Sequence, residues 1–300
     1  MRPAVHLLDA SIYIFRAWFA VPPTWVSSSG MPTNAVVGFA GFLAGLIEHD
    51  PRGRFLAAFD ESLGSCFRHR IHPGYKQRRA LPDQALAFQL TACRELAEAL
   101  GINCAASPRY EADDLLASAA RHARAAAHRC VVLSRDKDLG QLLTEEDDVL
   151  WDFPKGELQD RAAWQARHGI RPEQLAARLA LTGDSIDDIP GVPGIGERTA
   201  VALLARYEDI EDIEDILGDL PGIEASGQRG AARIVAALRA HASQLRMARQ
   251  LTELADDAFA EAPRFGRAEV DVDHLEALVG SLGFSERLRH RLRALAENNP

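Results

Sequence analysis

Short apolar runs in the first half of the chain end at or just before an aspartate, and this pattern constrains the fold most strongly. The runs and their acids are residues 5–8 with Asp9, 54–59 with Asp60, and 130–134 with Asp136. Weaker runs lie at residues 102–105 and 149–151, and helical patterns between the runs at 33–48, 84–100 and 113–127. This alternation predicts a mainly parallel sheet covered by helices. The three aspartates would then meet at the carboxyl edge of the sheet, where such folds bind ligands.

Beyond about residue 170 the strand-like runs disappear and helical patterns follow one another. These patterns are residues 173–181, 197–207, 228–249, 274–282 and 286–297. We therefore predict an α/β domain over residues 1–170 and a helical domain over residues 171–300.

Composition places the chain among ordinary globular proteins, with 47% hydrophobic and 26% charged residues. No stretch approaches the roughly 18 apolar residues of a membrane span, and the first apolar run is too short for a signal peptide. The four cysteines are scattered, which favours reduced thiols over disulfides or a zinc site. We expect a cytoplasmic protein with no membrane partner.

Acids are crowded at a few places where they would repel one another unless cations lay among them. The nine acids concerned are Asp9, Asp60, Glu111, Asp113, Asp114, Asp136, Asp138, Asp184 and Asp187. The net charge is −9, and setting these nine acids aside leaves 34 acids against 34 Lys and Arg residues. The acidic excess would therefore be confined to one site, so it does not exclude DNA as a partner.

Carboxylate oxygens suit hard cations such as Mg²⁺ or Mn²⁺ rather than zinc. Nine acids exceed what one ion needs and fit two ions, the arrangement that activates a water and steadies the leaving oxygen in phosphodiester cleavage. Taken singly, each acidic group has an ordinary structural explanation, because acids in the first turn of a helix are favoured by the helix dipole. The prediction of a metal site depends on their joint occurrence with acids at strand ends.

Eight sequence blocks carry a family resemblance. The most specific is LTGDSIDDIPGVPGIGERTA at residues 181–200; the others are residues 8–17, 32–39, 58–60, 67–69, 74–79, 111–114 and 134–138. In this order, these blocks resemble the 5′ nuclease (flap endonuclease) family, in particular the 5′-3′ exonuclease domain of bacterial DNA polymerase I and its stand-alone relatives. The resemblance implies a PIN-like α/β domain and a helical domain with a helix-hairpin-helix-type DNA-binding element.

The resemblance also implies roles for single residues. Two Mg²⁺ or Mn²⁺ ions would be served by the nine acids, those from Asp9 to Asp114 at the first ion and those from Asp136 to Asp187 at the second. Residues 62–84, the most basic part of the chain, would form an arch in which Lys76 and Arg79 steady the scissile phosphate. Tyr75 would stack on a base, or pack internally. Arg16 would contact the same phosphate, or form an ion pair with a carboxylate of the site.

The hairpin block is expected to grip duplex backbone without reading its sequence, with K⁺ as a further ligand. Its predicted DNA-binding residues are Gly191, Val192, Gly194, Gly196, Arg198 and Thr199. The chain departs from the family pattern in Ala10, Asp188 and Arg198, where Gly, Asn and Lys are usual.

Together these features predict a metal-dependent 5′-3′ exonuclease and 5′-flap endonuclease that acts on DNA with 5′ flaps, nicks or 5′ ends. We expect a cytoplasmic, nucleoid-associated monomer that works with replication or repair proteins. Two alternatives stay open at this point: a catalytically inactive DNA-binding protein, and a PIN-like metal-dependent ribonuclease.

Overall fold

A six-stranded sheet forms the centre of the protein. The structure, a computed structural model, describes residues 2–62, 64–206, 213–227 and 229–299. Leu63 of the predicted arch, residues 207–212 and Gln228 lie outside the described residues. The strands are β1 (Ala4–Asp9), β2 (Arg54–Asp60), β3 (Asn103–Ser107), β4 (Arg129–Leu133), β5 (Val149–Trp151) and β6 (Leu158–Asp160).

The strand order is β3-β2-β1-β4-β5-β6, and every pair is parallel except β5 with β6. The chain first moves from β1 outward to β3, then returns to place β4 on the other side of β1. This reversal creates a switch point beside the carboxyl end of β1, the usual ligand position in such sheets. The predicted parallel sheet is confirmed, and only the short antiparallel edge strand β6 was missed.

Helices cover both faces of the sheet and fill the second half of the chain. They are α1 (Ala10–Ala20), α2 (Asn34–His49), α3 (Arg68–Ile71), α4 (Gln84–Ala99), α5 (Ala112–Ala125), α6 (Arg161–His168), α7 (Leu175–Thr182), α8 (Glu197–Leu204), α9 (Ile213–Gly218), α10 (Leu220–Ala225), α11 (Ala231–Ala240), α12 (Ala242–Thr252), α13 (Val272–Ser281) and α14 (Glu286–Glu297). Short 3₁₀ turns occur at Lys137–Leu142 and Pro172–Gln174. Within the described residues, no helix combines the length and apolarity that crossing a membrane would require.

Alternation along the strands divides the apolar side chains between two cores. Leu7 and Val132 face α5 in a core that continues into α7, α8 and α12. Leu8 and Phe55 face the other way, into a core formed with α1, α2 and α4. The helical region is therefore joined to the sheet by a continuous apolar layer.

The last two helices pack on the α/β part of the molecule. Leu275, Val279 and Leu292 are buried in the same core as α2 and α4. The sequence prediction grouped every helix after residue 170 in one domain. The structure differs because the apolar faces of α13 and α14 cover α4 and α2 rather than α7 to α12.

Candidate metal and DNA-binding cleft

The carboxyl edge of the sheet borders an open cleft of about 680 Å³. Seven of the nine predicted metal ligands line it: Asp9, Asp60, Asp113, Asp136, Asp138, Asp184 and Asp187. Glu111 lines two smaller cavities next to it, which share Lys76 with the main cleft. The fold thus brings together acids that lie far apart in the chain.

The two central strands place the first acids. Asp9 is the last residue of β1 and caps α1, with one carboxylate oxygen accepting from the Ile12 N–H at 3.3 Å. Its other oxygen accepts from the Ser134 hydroxyl at 2.8 Å. Asp60 ends β2 and accepts from the Ala112 N–H, at the start of α5, at 2.8 Å. Each carboxylate is held by backbone or hydroxyl donors, which fixes its direction.

The second group of acids lies on two tight turns. Asp136 begins the 3₁₀ turn after β4 and accepts from the Asp138 N–H at 2.9 Å. Asp184 follows α7 and accepts from the Ile186 N–H at 2.7 Å. Reciprocal backbone hydrogen bonds between Asp184 and Ile189 close this second turn, which carries Asp187. The two turns face the strand-end acids across the cleft.

Burial and mutual repulsion make the ionised form of these acids unfavourable. Burial, together with the charges of Asp60 and Asp136, raises the pKa of Asp9 to about 7. Burial and neighbouring aspartates raise the pKa of Asp113 well above its usual value. The pKa values of Asp60, Asp138 and Asp187 are raised as well, chiefly by burial. Such a cluster is stabilised when cations enter it.

The donor set fits hard divalent cations. Among the described residues, no three Asp, Glu, His or Cys side chains are placed to hold an ion between them. Mg²⁺ needs less than that, since it keeps several waters and takes one or two carboxylates directly. The potential metal ligands that line this cleft are all oxygen atoms, and the cleft has room for ions that are bound partly through water.

Two basic side chains of the predicted arch reach the acids. The Lys76 ammonium contacts a Glu111 carboxylate oxygen and lies 3.5 Å from Asp187 Oδ2. Burial alone would lower the pKa of Lys76, but the charges of Glu111 and Asp187 outweigh it and raise that pKa. Arg79 lies 3.8 Å from Asp187 and is half exposed. Both side chains border the main cleft.

Asp114 does not fit the predicted role of metal ligand. It is fully buried, and its two oxygens accept from the Arg68 guanidinium and from the Glu111 and Ala255 N–H groups. Four donors leave this carboxylate no lone pair for an ion. The sequence analysis placed Arg68 in the block at residues 67–69 and in the basic segment but gave it no role, because its pairing with Asp114 is a long-range contact.

Two other predicted contacts with DNA are corrected. The Tyr75 ring is 3% exposed, and its hydroxyl donates to Glu111 at 2.8 Å, so it packs internally instead of stacking on a base. Arg16 forms an ion pair with Asp152, which lies outside the predicted acid set, and its guanidinium lies 4.8 Å from the Tyr13 ring centroid. The partner of Arg16 is thus a carboxylate outside the predicted site, so the alternative of an ion pair with a site carboxylate is wrong.

The hairpin between α7 and α8 separates its predicted residues into two kinds. Val192 is buried and its N–H donates to the Leu181 carbonyl at 2.9 Å, so it anchors the turn. A side chain on Gly191 would meet the Thr182 backbone at 2.2 Å, so this glycine also serves packing. The remaining residues Gly194, Gly196 and Arg198 are exposed, and Thr199 is partly exposed. Of the six predicted residues, burial therefore removes Val192 from contact with a phosphate backbone.

One departure from the family pattern, Asp188, has a local explanation. Asp188 has a φ of 57°, a left-handed conformation that Asn and Asp tolerate better than most residues. Its carboxylate accepts from Arg78 Nε at 2.6 Å, which lowers the pKa of Asp188. The additional negative charge of Asp188 is therefore paired with Arg78 of the predicted arch. Ala10 is fully buried at the start of α1.

Comparison with known proteins covers nearly the whole chain. Residues 4–169 match the family model of the 5′-3′ exonuclease N-terminal resolvase-like domain, and residues 170–270 match that of the 5′-3′ exonuclease C-terminal SAM fold. A 5′-3′ exonuclease of Aquifex aeolicus is 33% identical over 210 residues, covering 70% of this chain and 71% of that protein.

Two longer relatives, both DNA polymerases I, match almost the whole of this chain. The thermostable DNA polymerase I of Thermus aquaticus is 34% identical over 285 residues, 95% of this chain and 32% of that protein. DNA polymerase I of Mycobacterium bovis is 32% identical over 299 residues, 97% of this chain and 32% of the relative. The chain thus spans about a third of the length of these curated relatives.

Two solved structures share the fold. The T5 5′-exonuclease with bound divalent metal ions (zinc) superposes with a TM-score of 0.65 at 19% identity, covering 99% and 100% of the two chains. Human GEN1 in complex with Holliday junction DNA superposes with a TM-score of 0.64 at 12% identity, covering 98% and 71%.

Proposed function

Because the chain belongs to the 5′-3′ exonuclease family, we propose that it hydrolyses DNA phosphodiesters at 5′ ends, nicks and 5′ flaps. The observation that carries the proposal is the cleft in which seven acids from distant segments meet, with Lys76 and Arg79 on its border. Acids of raised pKa beside basic side chains are the setting expected for phosphoryl chemistry that uses cations.

We propose that two divalent cations, Mg²⁺ or Mn²⁺, occupy this cleft. When bound, such ions lower the pKa of a water and stabilise the leaving oxygen. Asp9, Asp60 and Asp113 would hold one side of the site, and the acids on the two turns, Asp136 and Asp184 among them, the other. Lys76 and Arg79 would bind the non-bridging oxygens of the scissile phosphate and orient it.

The exposed part of the hairpin supports a sequence-independent grip on duplex DNA. Gly194 and Gly196 have no side chains to keep a phosphate away from the backbone, and Arg198 adds a positive charge at the N-terminus of α8. We propose K⁺ as a further ligand of this turn. We also propose that the protein acts in the cytoplasm, bound to the nucleoid.

A cleavage assay tests the proposal. A labelled 5′-flap duplex and a nicked duplex are incubated with the protein, with Mg²⁺ or with EDTA, and an RNA flap is included. We expect Mg²⁺-dependent cleavage of both DNA substrates and a loss of at least about a hundredfold in rate for Asp136→Ala. Asp273→Ala, an exposed acid on α13 outside the cleft, is the matched control and should retain the parent rate.

Three results would contradict the proposal in different ways. Binding of flap DNA without cleavage would indicate an inactive DNA-binding protein. Preferential cleavage of the RNA flap would indicate a ribonuclease. A folded Asp136→Ala variant that cuts at the parent rate would remove the two-cation assignment.

A further inference from the structure

Arg68 is a buried guanidinium whose contacts reach three separate parts of the fold. It lies on α3, in the predicted arch, with 2% of the residue exposed. Its Nη1 donates to Glu111 Oε2 at 2.9 Å and to Asp114 Oδ2 at 2.6 Å, and its Nη2 donates to Asp114 Oδ1 at 2.8 Å. The pair with Asp114 is therefore bidentate, the strongest geometry for this kind of contact.

The same guanidinium also binds the end of a helix in the second half of the chain. Its Nε donates to the Leu251 carbonyl and its Nη2 to the Glu253 carbonyl, both at 2.8 Å. These carbonyls lie at the C-terminus of α12, where backbone oxygens lack helical partners and the helix dipole is negative. Arg68 thus caps α12 while it neutralises Asp114.

The end of α12 is in turn attached to the elements that carry the second group of acids. The Thr252 hydroxyl donates to the Ala176 carbonyl in α7 at 2.8 Å, and α7 leads directly to Asp184. Gln141, in the 3₁₀ turn that carries Asp138, donates to the Thr252 carbonyl at 3.1 Å. Arg68 therefore links Glu111, an acid predicted for the first ion, to α7 and the 3₁₀ turn. These two elements position acids predicted for the second ion.

We propose that Arg68 is a positioning residue for the cations. It holds the Glu111 carboxylate beside the cleft and fixes the position of α12 relative to the cleft. This inference rests on the proposed function, because it presupposes cations in the cleft. Arg68 acts through Glu111 and α12, and its buried position keeps it away from DNA. A lysine at this position would keep the charge but lose the planar fork, so it could not serve Asp114 and both carbonyls together.

The test compares Arg68→Lys with Arg124→Lys. Arg124 is a matched control because it also pairs with a buried aspartate, Asp148, through Nε and Nη2 at 3.1 and 2.8 Å, and also donates to a carbonyl. Mn²⁺ binding is titrated by calorimetry on each folded protein without DNA, and the Mg²⁺ dependence of flap cleavage is measured beside it. Urea denaturation reports the stability of each variant.

We expect Arg68→Lys to weaken Mn²⁺ binding by about tenfold or more and to raise the Mg²⁺ concentration for half-maximal cleavage similarly, with the rate largely recovered at saturating Mg²⁺. Arg124→Lys should lose stability with unchanged cation affinity. If Arg68→Lys does not fold, Asp114→Asn takes its place with the same expected shift.

Unchanged Mn²⁺ affinity in the folded Arg68→Lys or Asp114→Asn variant would overturn the inference, as would equal weakening in Arg124→Lys. A raised KM for DNA with unaltered Mn²⁺ affinity would indicate a direct phosphate contact and overturn it too. Parent protein that binds no Mn²⁺ and cuts no DNA would instead overturn the proposed function, so the two failures are distinguishable.

Discussion

At the scale of single residues, the cleft holds charges that are balanced only in part by the protein itself. Lys76 lies between Glu111 and Asp187 with a φ of 51°, a conformation that few non-glycine residues adopt. Strained residues of this kind persist where the surrounding structure holds them in place, often at functional sites. Within the described part of the chain, no basic side chain forms an ion pair with Asp9 or Asp113, and burial raises the pKa of both carboxyls.

The raised pKa of Asp9 predicts how the cation-free protein responds to pH. In the folded protein this pKa is about 7, against 3.8 for an ordinary aspartate. The folded state therefore binds the proton more tightly than the unfolded state, and this contribution to stability is complete below pH 3.8. It is lost as pH rises through 7, by about 1.4 kcal/mol per pH unit in between.

We therefore expect the cation-free protein to have a lower Tm at pH 8 than at pH 5, and Mg²⁺ to restore the loss at pH 8. Asp9→Asn should show a smaller difference between the two pH values, although Asp60 and Asp113 still contribute in the same direction. Thermal unfolding in EDTA measures both proteins. An equal pH dependence in Asp9→Asn and the parent would contradict the assignment of this pKa.

At the scale of elements, the turn between α7 and α8 joins two proposed metal ligands, Asp184 and Asp187, to the proposed DNA-binding residues. Gly183 has a φ of 75°, and a side chain on it would meet the Gly191 backbone nitrogen at 2.4 Å. Because Gly183 and Gly191 lack side chains, the backbones at the two ends of the turn can lie in contact. Asp184 and Asp187 lie inside this closed turn, so its geometry sets their position.

Gly191→Ala should separate the packing role of the turn from its proposed DNA contacts. The added methyl group would meet the Thr182 backbone, which cannot move without shifting α7. We expect a loss of about 1–3 kcal/mol in the free energy of unfolding, together with reduced cleavage. Gly196→Ala is the control, because no heavy atom lies within 4 Å of the added carbon.

Urea denaturation and flap binding at two salt concentrations distinguish the variants. Gly196→Ala should retain stability, and it should weaken DNA binding if the exposed turn approaches phosphate. Full stability in Gly191→Ala would show that the turn tolerates expansion and would contradict the packing argument.

At the scale of the whole molecule, the chain returns to the sheet after building the helical region. Leu292 on α14 is fully buried in the core shared with α2. The four tryptophans, Trp18, Trp25, Trp151 and Trp164, all lie in the first 170 residues. Trp18 and Trp151 pack against the core that contains Leu292, so tryptophan fluorescence reports on that core.

Leu292→Ala should consequently destabilise the α/β part, although the substitution lies in the last twenty residues. Loss of a buried leucine costs about 2–5 kcal/mol, so the urea midpoint seen by tryptophan fluorescence should fall. Arg287→Ala, an exposed position on the same helix, should stay within about 0.5 kcal/mol of the parent. An unaltered fluorescence midpoint in Leu292→Ala would indicate that α14 belongs to an independent unit.

Local sequence patterns were enough to predict the parallel sheet and the acids at its carboxyl edge. Strand periodicity, helix length and an aspartate at or shortly after the ends of β1, β2 and β4 are local properties. They place Asp9, Asp60 and Asp136 on one edge whatever the details of packing. The glycines of the turn were also visible, because their positions are set by backbone conformation.

Which of the predicted acids line the cleft depends on long-range packing. Asp113 and Asp114 are neighbours on α5, yet successive helical residues point about 100° apart, so one faces the cleft and the other meets Arg68. The internal position of Tyr75 and the return of α14 to the sheet depend likewise on long-range contacts. Such contacts join residues far apart in the chain, and no local pattern in the sequence specifies them.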